Sequence, residues 1–469
     1  MARIPPAGRL VAASALFLLA VAGYALLVHT FPQYYWTQTD ATVYRGAGIA
    51  VRHQPALLYS LRLGVVKDPY LYTPFAALLF AVPSGLSFGV WQVLLAVVTI
   101  GLLPIVAYAS LGIAGRPASL ERAAGAFAIA AVSLWLEPVA ETLFFGQINV
   151  VLLALVICDF ALPDRFKGKG IGIGLAAGIK LTPLIFIPYL LLTRRLRAGL
   201  VSIGTFAVTF VFGYAFLPQA AIAYWWGGKL VDSESNPFHL LNQSLYGALL
   251  RLTHDAQHEA HTYWLLAAVV VGVGGLATSI VASRRGYELL GVVLCGATSL
   301  LISPISFSHH YVYVVPVLAL AAYGPRRLAY RIAGAAVVVG LFGWWPIPIG
   351  PTGGYHPGVQ LLPRGLLRLA PNRGPTNLEF TWRGLELIAG NYYIVVSLLF
   401  IAVTACGLWV TRRRVTATEE PVPAPGAAYQ ARSPGTVSLW SHGHDDRQPL
   451  LRAGHEASAC AEPGRAGRA

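Results

Sequence analysis

Residues 10–28 read LVAASALFLLAVAGYALLV, an uncharged apolar run that decides the fold class of this chain. A helix needs roughly 20 consecutive apolar residues to cross the hydrocarbon core of a bilayer, so this run predicts a membrane-spanning helix. Arg3 and Arg9 precede it, as in a secretory signal, but no small-residue cleavage site follows His29. We therefore interpret the run as an uncleaved first span.

Similar apolar runs recur as far as about Val410, and 56% of the chain is hydrophobic while only 12% is charged. This composition excludes an ordinary soluble globular protein. Two runs are irregular, because 72–114 is too long for one helix and 171–192 is interrupted at Lys180 and Pro183. We expect an all-α polytopic domain over residues 1–414 with about 10–12 membrane segments, in which 171–192 forms two short helices or a re-entrant hairpin.

Charge in the connections predicts the topology. Basic residues cluster in alternate connections, at 116–122, 165–169, 194–197, 284–285, 326–331 and 412–414. The positive-inside rule makes these connections and both termini cytoplasmic, so loops 30–71, 137–147, 219–263, 303–310 and 349–385 would lie outside. The net charge of +14 is spread over short loops without a basic stripe, which argues against nucleic acid and for contact with anionic membrane lipid.

Residues 415–469 differ from the rest of the chain in composition. They are rich in Pro, Gly, Ala and Ser, with mixed charge and no apolar period, and predict a disordered cytoplasmic tail. The four cysteines show no paired spacing, so neither a disulfide framework nor a zinc site is indicated.

Asp40 follows the first span in the stretch TQTDATVYRG, residues 37–46, and the apolar residues after it recur at helical spacing. We expect an amphipathic helix at the membrane interface. One interpretation is that Asp40 or Thr39 caps this helix. The other is that Asp40 is a general base that takes a proton from an acceptor hydroxyl.

Lys180 and the pair His309 and His310 are the other ionisable residues at the ends or breaks of apolar runs. Lys180 either snorkels to an interface or, beside a broken helix, binds a lipid phosphate. Two adjacent histidines cannot share one helix face, so we expect one to face a cavity and the other the interface. Contact with phosphate or sugar suits them, whereas metal-ligand spacing is lacking.

Amides and a histidine run complete the set of candidate residues. Gln147 and Asn149 begin one apolar run, and Asn242 and Gln243 lie in a large outer loop, where such amides bind sugar hydroxyls or satisfy loop backbone. In the same loop His254, His258 and His261 stand at helical spacing, which would gather a metal on one helix or belong to a solvated loop helix.

Six motifs carry a resemblance to a known family. They are Asp40 with VYRGAG (43–48), YTPFAAL (72–78), GQIN (146–149), GLAAGIKLTP (174–183), NQSL (242–245) and SPISFSHH (303–310). Together they resemble the polyprenol-phosphate-mannose-dependent α-1,2-mannosyltransferases of mycobacteria and their relatives in glycosyltransferase family 87. The resemblance implies the GT-C fold and an inverting transferase at the outer face of the plasma membrane. Its donor would be polyprenyl-phosphate-mannose and its acceptor a phosphatidylinositol mannoside or lipomannan, without cofactor or metal.

The resemblance also implies roles for individual residues. Asp40 would be the catalytic base, and Lys180 with His309 or His310 would steady the leaving phosphate. Contacts with sugar or acceptor are implied for Tyr44, Arg45, Gln147, Asn149, Asn242 and Gln243. Two alternatives stay open: related enzymes use decaprenyl-phosphate-arabinose, and broken helices with a membrane lysine are also typical of a glycolipid transporter or flippase. The motifs carry no information on protein partners, which stay unknown.

Overall fold

The computed structural model describes residues 4–64, 67–228, 237–254, 258–323, 327–348, 361–371 and 378–418. The described part is almost entirely helical, which confirms the predicted fold class. The first helices are α1 (Pro6–Thr30), α2 (Pro32–Tyr35), α3 (Thr39–His53), α4 (Pro74–Ala81), α5 (Phe88–Ile113), α6 (Leu120–Ser133), α7 (Glu137–Phe145), α8 (Asn149–Ala161), α9 (Ile171–Ile179) and α10 (Phe186–Leu192). The others are α11 (Leu196–Phe216), α12 (Pro218–Trp225), α13 (Leu245–Thr253), α14 (His258–Arg284), α15 (Glu288–Ile302), α16 (Val314–Tyr323), α17 (Leu328–Phe342), α18 (Leu385–Gly390) and α19 (Tyr392–Thr418).

Strands in the described residues are confined to two short antiparallel ribbons. In the first, β1 (Arg62–Leu63) pairs with β2 (Asp68–Pro69). In the second, β3 (Pro346–Pro348) pairs with β4 (Leu361–Pro363).

Within the described residues, five helices are long and apolar enough to cross a membrane: α1, α5, α11, most of α14 and the first part of α19. Their large apolar side chains are mostly exposed, as Leu19 at 70% and Val270 at 71% illustrate. Exposed apolar surface on this scale suits contact with lipid chains rather than water. Shorter apolar segments, among them α8, α15, α16 and α17, supply further membrane-depth helices.

Both irregular runs are broken where the sequence predicts. Pro74 begins α4, a 3-10 turn at Pro83–Gly85 ends it, and α5 then starts at Phe88. In the second run α9 stops before Lys180, and α10 follows a 3-10 turn at Thr182–Ile185. The two short helices predicted for 171–192 are therefore confirmed.

The inner helices α8 and α15 are buried along most of their length, and α8 packs against both α5 and α9. At its end, Asp159 accepts hydrogen bonds from the backbone N–H groups of Gly170 (2.8 Å) and Gly172 (2.7 Å). This carboxylate thus fixes the start of α9, whose other end carries Lys180.

The described residues end at Thr418, within α19. The disordered tail and the domain boundary at residue 414 stay predictions, because residues 419–469 lie outside the described part of the chain.

Candidate active site

A cavity of about 770 Å³ lies at one end of the helical domain. Asp40 on α3 and Asp68 on β2 line it, and so do Tyr44 and Gln147. Four further lining residues form what we call the lysine–histidine wall, namely Lys180, His239, His309 and His310. The cavity therefore presents both carboxylates and nitrogen-bearing side chains.

Asp40 lies in the first turn of α3 without capping it. The residue before the helix is Gln38, in a left-handed conformation with φ 52°, and no side chain caps the helix start. Asp40 Oδ2 instead accepts a 2.7 Å hydrogen bond from Gln147 Nε2. The capping interpretation is therefore not supported, and the carboxylate is directed into the cavity.

Burial raises the pKa of Asp40 to about 7, and the charge of Asp68 adds to this rise. The Gln147 hydrogen bond and the charge of Lys180 act in the opposite direction. A base is most useful when its pKa lies near the operating pH, because it is then available as the anion and still holds a transferred proton. Asp40 thus has the properties that a general base requires.

Two tyrosines fix the orientation of the Gln147 amide. Its Oε1 accepts hydrogen bonds from the hydroxyls of Tyr44 (2.5 Å) and Tyr72 (3.0 Å), so its NH₂ group is turned towards Asp40. The turn that carries Gln147 reaches α3 because Gly146 has φ 70° and no side chain. A Cβ atom at Gly146 would lie 2.6 Å from the Cβ of Ala41.

Lys180 projects into the cavity from the break after α9. Its backbone is extended, with φ −143° and ψ 135°, so the helix cannot continue. The Thr73 hydroxyl caps α4 by accepting from Ala76 N–H and donates to the Gly178 carbonyl, which joins the two broken runs. Lys180 Nζ lies 2.9 Å from His310 Nε2 and 5.1 Å from the centre of the Tyr72 ring.

His309 and His310 form part of a 3-10 turn, Ser308–His310, and both line the cavity. The prediction that only one faces the cavity was wrong, because it assumed an α-helix where the chain makes one tight turn. Among the described residues neither ring nitrogen of His309 has a hydrogen-bond partner, although the side chain is only 2% exposed. Burial and the charge of Lys180 lower the pKa of both imidazoles, so both are neutral at pH 7.

Four of the predicted sugar contacts do not line this cavity. Asn149 Nδ2 donates to the His309 carbonyl (3.0 Å), and Arg45 donates to the Leu86 carbonyl. Asn242 Oδ1 accepts from Ser306 N–H (2.9 Å), and Gln243 Nε2 donates to two carbonyls. Asn149, Asn242 and Gln243 therefore hold the segments that carry the histidines, and Tyr44 and Gln147 are the predicted sugar contacts that remain at the cavity.

Sequence reasoning missed Asp68 and His239. Asp68 reaches the cavity through the β1–β2 ribbon, whose strands of two residues each are too short to leave a periodic pattern. His239 lies in the large loop before α13, and only the pairing of this loop with residues 306–308 brings it to the site. Its signal in the sequence is its position three residues before the Asn242 motif.

The proposed histidine helix is not formed. His254 lies at the end of α13 with φ 52°, whereas His258 begins α14, so His254 and His261 are on different helices. His261 lines the cavity beside Trp264, at 5.4 Å between ring centres. In the part of the chain that the structure describes, no three His, Cys, Asp or Glu residues are grouped to hold a metal.

Apolar helices around a cavity with a titratable carboxylate define a multi-pass membrane enzyme, and comparison with known proteins identifies its class. The model of glycosyltransferase family 87 matches residues 70–304. This chain belongs to glycosyltransferase family 87. The match includes Gln147, Lys180 and His239, while Asp40 lies 30 residues before its start and His310 six residues after its end.

Three relatives illustrate the similarity. A polyprenol-phosphate-mannose-dependent α-(1-2)-phosphatidylinositol mannoside mannosyltransferase of Mycobacterium tuberculosis is 33% identical over 303 residues, which cover 60% of this chain and 69% of the relative. The protein of the same description from Mycolicibacterium smegmatis is 31% identical, covering 61% and 70%. A phosphatidylinositol pentamannoside mannosyltransferase of M. tuberculosis is 32% identical, covering 69% and 75%. No solved structure matches the chain.

Proposed function

We propose that this protein is an inverting mannosyltransferase that uses polyprenyl-phosphate-mannose as donor. Its acceptor is a phosphatidylinositol mannoside, which it extends by an α-1,2 linkage at the outer face of the plasma membrane. The names of the similar mycobacterial enzymes support this donor, acceptor and linkage.

The observation that carries the proposal is one cavity that holds both a titratable carboxylate and a lysine paired with a histidine. Asp40, Lys180 and His310 all line it, and Lys180 Nζ lies 2.9 Å from His310 Nε2. A displacement at a sugar carbon needs a base for the nucleophile and electrostatic stabilisation of the leaving group. Asp40 matches the first requirement, and Lys180 with His310 matches the second.

The reaction uses these groups in one displacement. The acceptor hydroxyl oxygen attacks the anomeric carbon of mannose while its proton passes to Asp40. The bond between that carbon and the phosphate oxygen breaks, and the phosphate leaves with the bonding electrons. Because attack is opposite to the leaving group, a β-linked donor gives an α-linked product.

The leaving phosphate suits the environment of Lys180. Phe307 N–H donates to His310 Nδ1 at 3.0 Å, so the proton of the neutral ring is on Nε2, 2.9 Å from Lys180 Nζ. A lysine ammonium also has only donors. A phosphate oxygen that accepts from both groups satisfies them together, and the charge that develops on it in the reaction strengthens both contacts.

Charge distribution supports an outer cavity. Each of two helices has a cavity-lining residue near one end and a basic residue at or beyond the other. On α14, His261 lines the cavity and Arg284 stands in the last turn. On α8, Gln147 precedes the start, and Lys169 follows the end. The positive-inside rule then assigns the ends away from the cavity to the cytoplasm.

The test is transfer of labelled mannose from polyprenyl-phosphate-mannose to a phosphatidylinositol mannoside by purified protein in lipid nanodiscs. Asp40→Asn and a decaprenyl-phosphate-arabinose donor are run in parallel. We expect an α-1,2-linked mannolipid from the wild type, none above background from Asp40→Asn, and none from arabinose. Transfer of arabinose but not mannose would change the donor to an arabinose lipid. Lipid translocation without transfer would show that the protein is a flippase and not a transferase.

A further inference from the structure

His239 is a cavity-lining residue to which the reaction described above gives no role. It lies in the segment that precedes α13, and its ring is part of the lysine–histidine wall. Leu241 N–H donates to His239 Nδ1 at 3.1 Å. A neutral imidazole that accepts at Nδ1 carries its proton on Nε2, so His239 is a hydrogen-bond donor through that nitrogen.

His310 has the same arrangement on the opposite segment. Its Nδ1 accepts from a backbone N–H three residues earlier, at Phe307, which likewise leaves the proton on Nε2. The two segments pair in antiparallel fashion: Asn242 bridges to Phe307, and Ser308 N–H donates to the Leu241 carbonyl at 2.9 Å. The two segments therefore lie next to each other, and both histidines line the same cavity.

The charges around His239 favour an anionic ligand. Burial and the guanidinium groups of Arg368 and Arg251 lower the pKa of His239 to about 4. Arg251 is fully buried and donates to the His239 carbonyl (3.1 Å), while Glu379 accepts from Leu240 N–H (3.3 Å). The ring therefore stays a neutral donor at physiological pH, within reach of the positive charges of Arg368 and Arg251.

Arg251 also holds the donor in place. Arg251 Nη2 donates to the Asn242 carbonyl (2.9 Å) and to Asn391 Oδ1 (2.6 Å), which ties the segment before α13 to the start of α19. Arg368 is itself paired, since its Nη2 lies 3.6 Å from Glu141 Oε1 on α7. A donor fixed on a rigid segment costs less conformational entropy on binding than one on a mobile side chain.

We propose that His239 and His310 act as a pair of fixed Nε2–H donors to the lipid phosphate, with Lys180 as the charged third member. The inference rests on the proposed function and adds a residue to its phosphate site. A phosphate group has enough free oxygens to accept from all three groups, whereas a sugar hydroxyl would also have to donate and finds no acceptor on this pair.

Two isosteric substitutions separate the two ring nitrogens of His239. In His239→Asn the amide oxygen takes the place of Nδ1 and still accepts from Leu241 N–H, but the donor to the cavity is lost. In His239→Gln the amide NH₂ group takes the place of Nε2 and keeps that donor. His254→Asn is the matched control, because His254 is exposed, does not line the cavity, and stands at a left-handed position that asparagine tolerates.

The experiment measures binding of a polyprenyl monophosphate and of the matching polyprenol to each variant in nanodiscs, together with KM for donor and acceptor. We expect His239→Asn to weaken phosphate binding and raise the donor KM about tenfold, the usual value of a hydrogen bond to a charged group. Polyprenol binding and the acceptor KM should stay within about twofold of the wild type, as for any group that contacts only the phosphate. His239→Gln should lie closer to the wild type than His239→Asn does.

If the wild type is active and His239→Asn binds the polyprenyl monophosphate as tightly as the wild type does, the inference is overturned. The proposed function then stays intact. A rise confined to the acceptor KM would also overturn the inference, because His239 would then contact the acceptor. A wild type that neither binds polyprenyl phosphate nor transfers mannose would instead reject the proposed function itself.

Discussion

Asp159, near the end of α8, and Asp40, on α3 beside the start of α8, are two aspartates that the fold surrounds differently. Asp159, at the end away from the cavity, is 3% exposed and accepts from the backbone N–H groups of Gly170, Gly172 and Ile173. Asp40, at the cavity, accepts one side-chain hydrogen bond from Gln147. The first has its lone pairs engaged by the fold, whereas the second keeps acceptor capacity for a substrate.

The comparison teaches that burial alone does not identify a catalytic group. Burial raises the pKa of both carboxylates. Their hydrogen-bond partners distinguish them, since three backbone N–H groups occupy the acceptor sites of Asp159 and a single amide leaves most acceptor sites of Asp40 open. The comparison predicts opposite consequences when each carboxylate is neutralised.

Asp40→Asn should have the largest effect on turnover. Asn Oδ1 still accepts from Gln147 Nε2, so the fold is kept, but the base is lost and kcat should fall by about 10²–10⁴-fold. The measurement is single-turnover mannose transfer, with the thermal unfolding midpoint as the check on folding. Turnover within tenfold of the wild type would remove Asp40 from the role of base.

Loss of charge at Lys180 should have the next largest effect. Lys180→Met keeps the length of the side chain but removes a charge-assisted contact worth about 1.5–3 kcal/mol, so the donor KM should rise about 10–100-fold. The acceptor KM should change little, and Lys180→Arg should fall between the wild type and the methionine variant. A change in the acceptor KM alone would contradict the assignment of Lys180 to the donor phosphate.

The pH profile offers a smaller and more specific test. Because burial raises the pKa of Asp40 to about 7, kcat/KM should fall about tenfold per pH unit below 7 as the carboxylate takes up a proton. Burial also lowers the pKa of Lys180 to about 7, so kcat/KM should fall again at higher pH as the lysine loses its charge. Gln147→Leu removes a hydrogen bond that lowers the pKa of Asp40. The acid limb of the kcat/KM profile should therefore move up by about 1 pH unit, which corresponds to about 1.4 kcal/mol.

The control for this profile is Gln54→Leu, because Gln54 is exposed at the end of α3 and far from the cavity network. The acid limb of the Gln54→Leu profile should coincide with that of the wild type. If the acid limb of Gln147→Leu also stays in place, a group other than Asp40 controls the profile.

The membrane fold could be predicted from the sequence because its determinants are local. Apolar length gives the spans, and Pro74, Pro83 and Pro183 mark breaks that the structure also has. The interruption at Lys180 could be anticipated for the same reason, since proline after Thr182 cannot supply a helical N–H.

The site was predictable only in part because most of it is assembled from distant segments. Asp40, Lys180 and the histidine pair stand out as ionisable residues at the ends of apolar runs. His239 and the anchoring role of Asn242 depend on pairing between residues near 240 and residues near 307, which leaves no local pattern. The conformation of Ser308–His310 likewise follows from tertiary hydrogen bonds such as Thr142 Oγ1 to the His309 carbonyl (3.1 Å).

Asp159→Asn should have the smallest effect on turnover and a measurable effect on stability. The asparagine amide offers one acceptor oxygen and an NH₂ group in place of two carboxylate oxygens, so part of the N–H cluster at Gly170 and Gly172 loses its partner. We expect a loss of about 1–3 kcal/mol in unfolding free energy, measured by denaturation in detergent.

In the folded fraction of Asp159→Asn, kcat/KM should stay within about threefold of the wild type, since α8 and α11 still hold α9 and the cavity groups are unchanged. Glu121→Gln is the control, because that carboxylate is 60% exposed in a surface ion pair with Arg9 and its loss should alter neither quantity. Loss of turnover in Asp159→Asn at unchanged stability would contradict the comparison, because it would show that the carboxylate far from the cavity acts on Lys180 through α9 rather than on the fold.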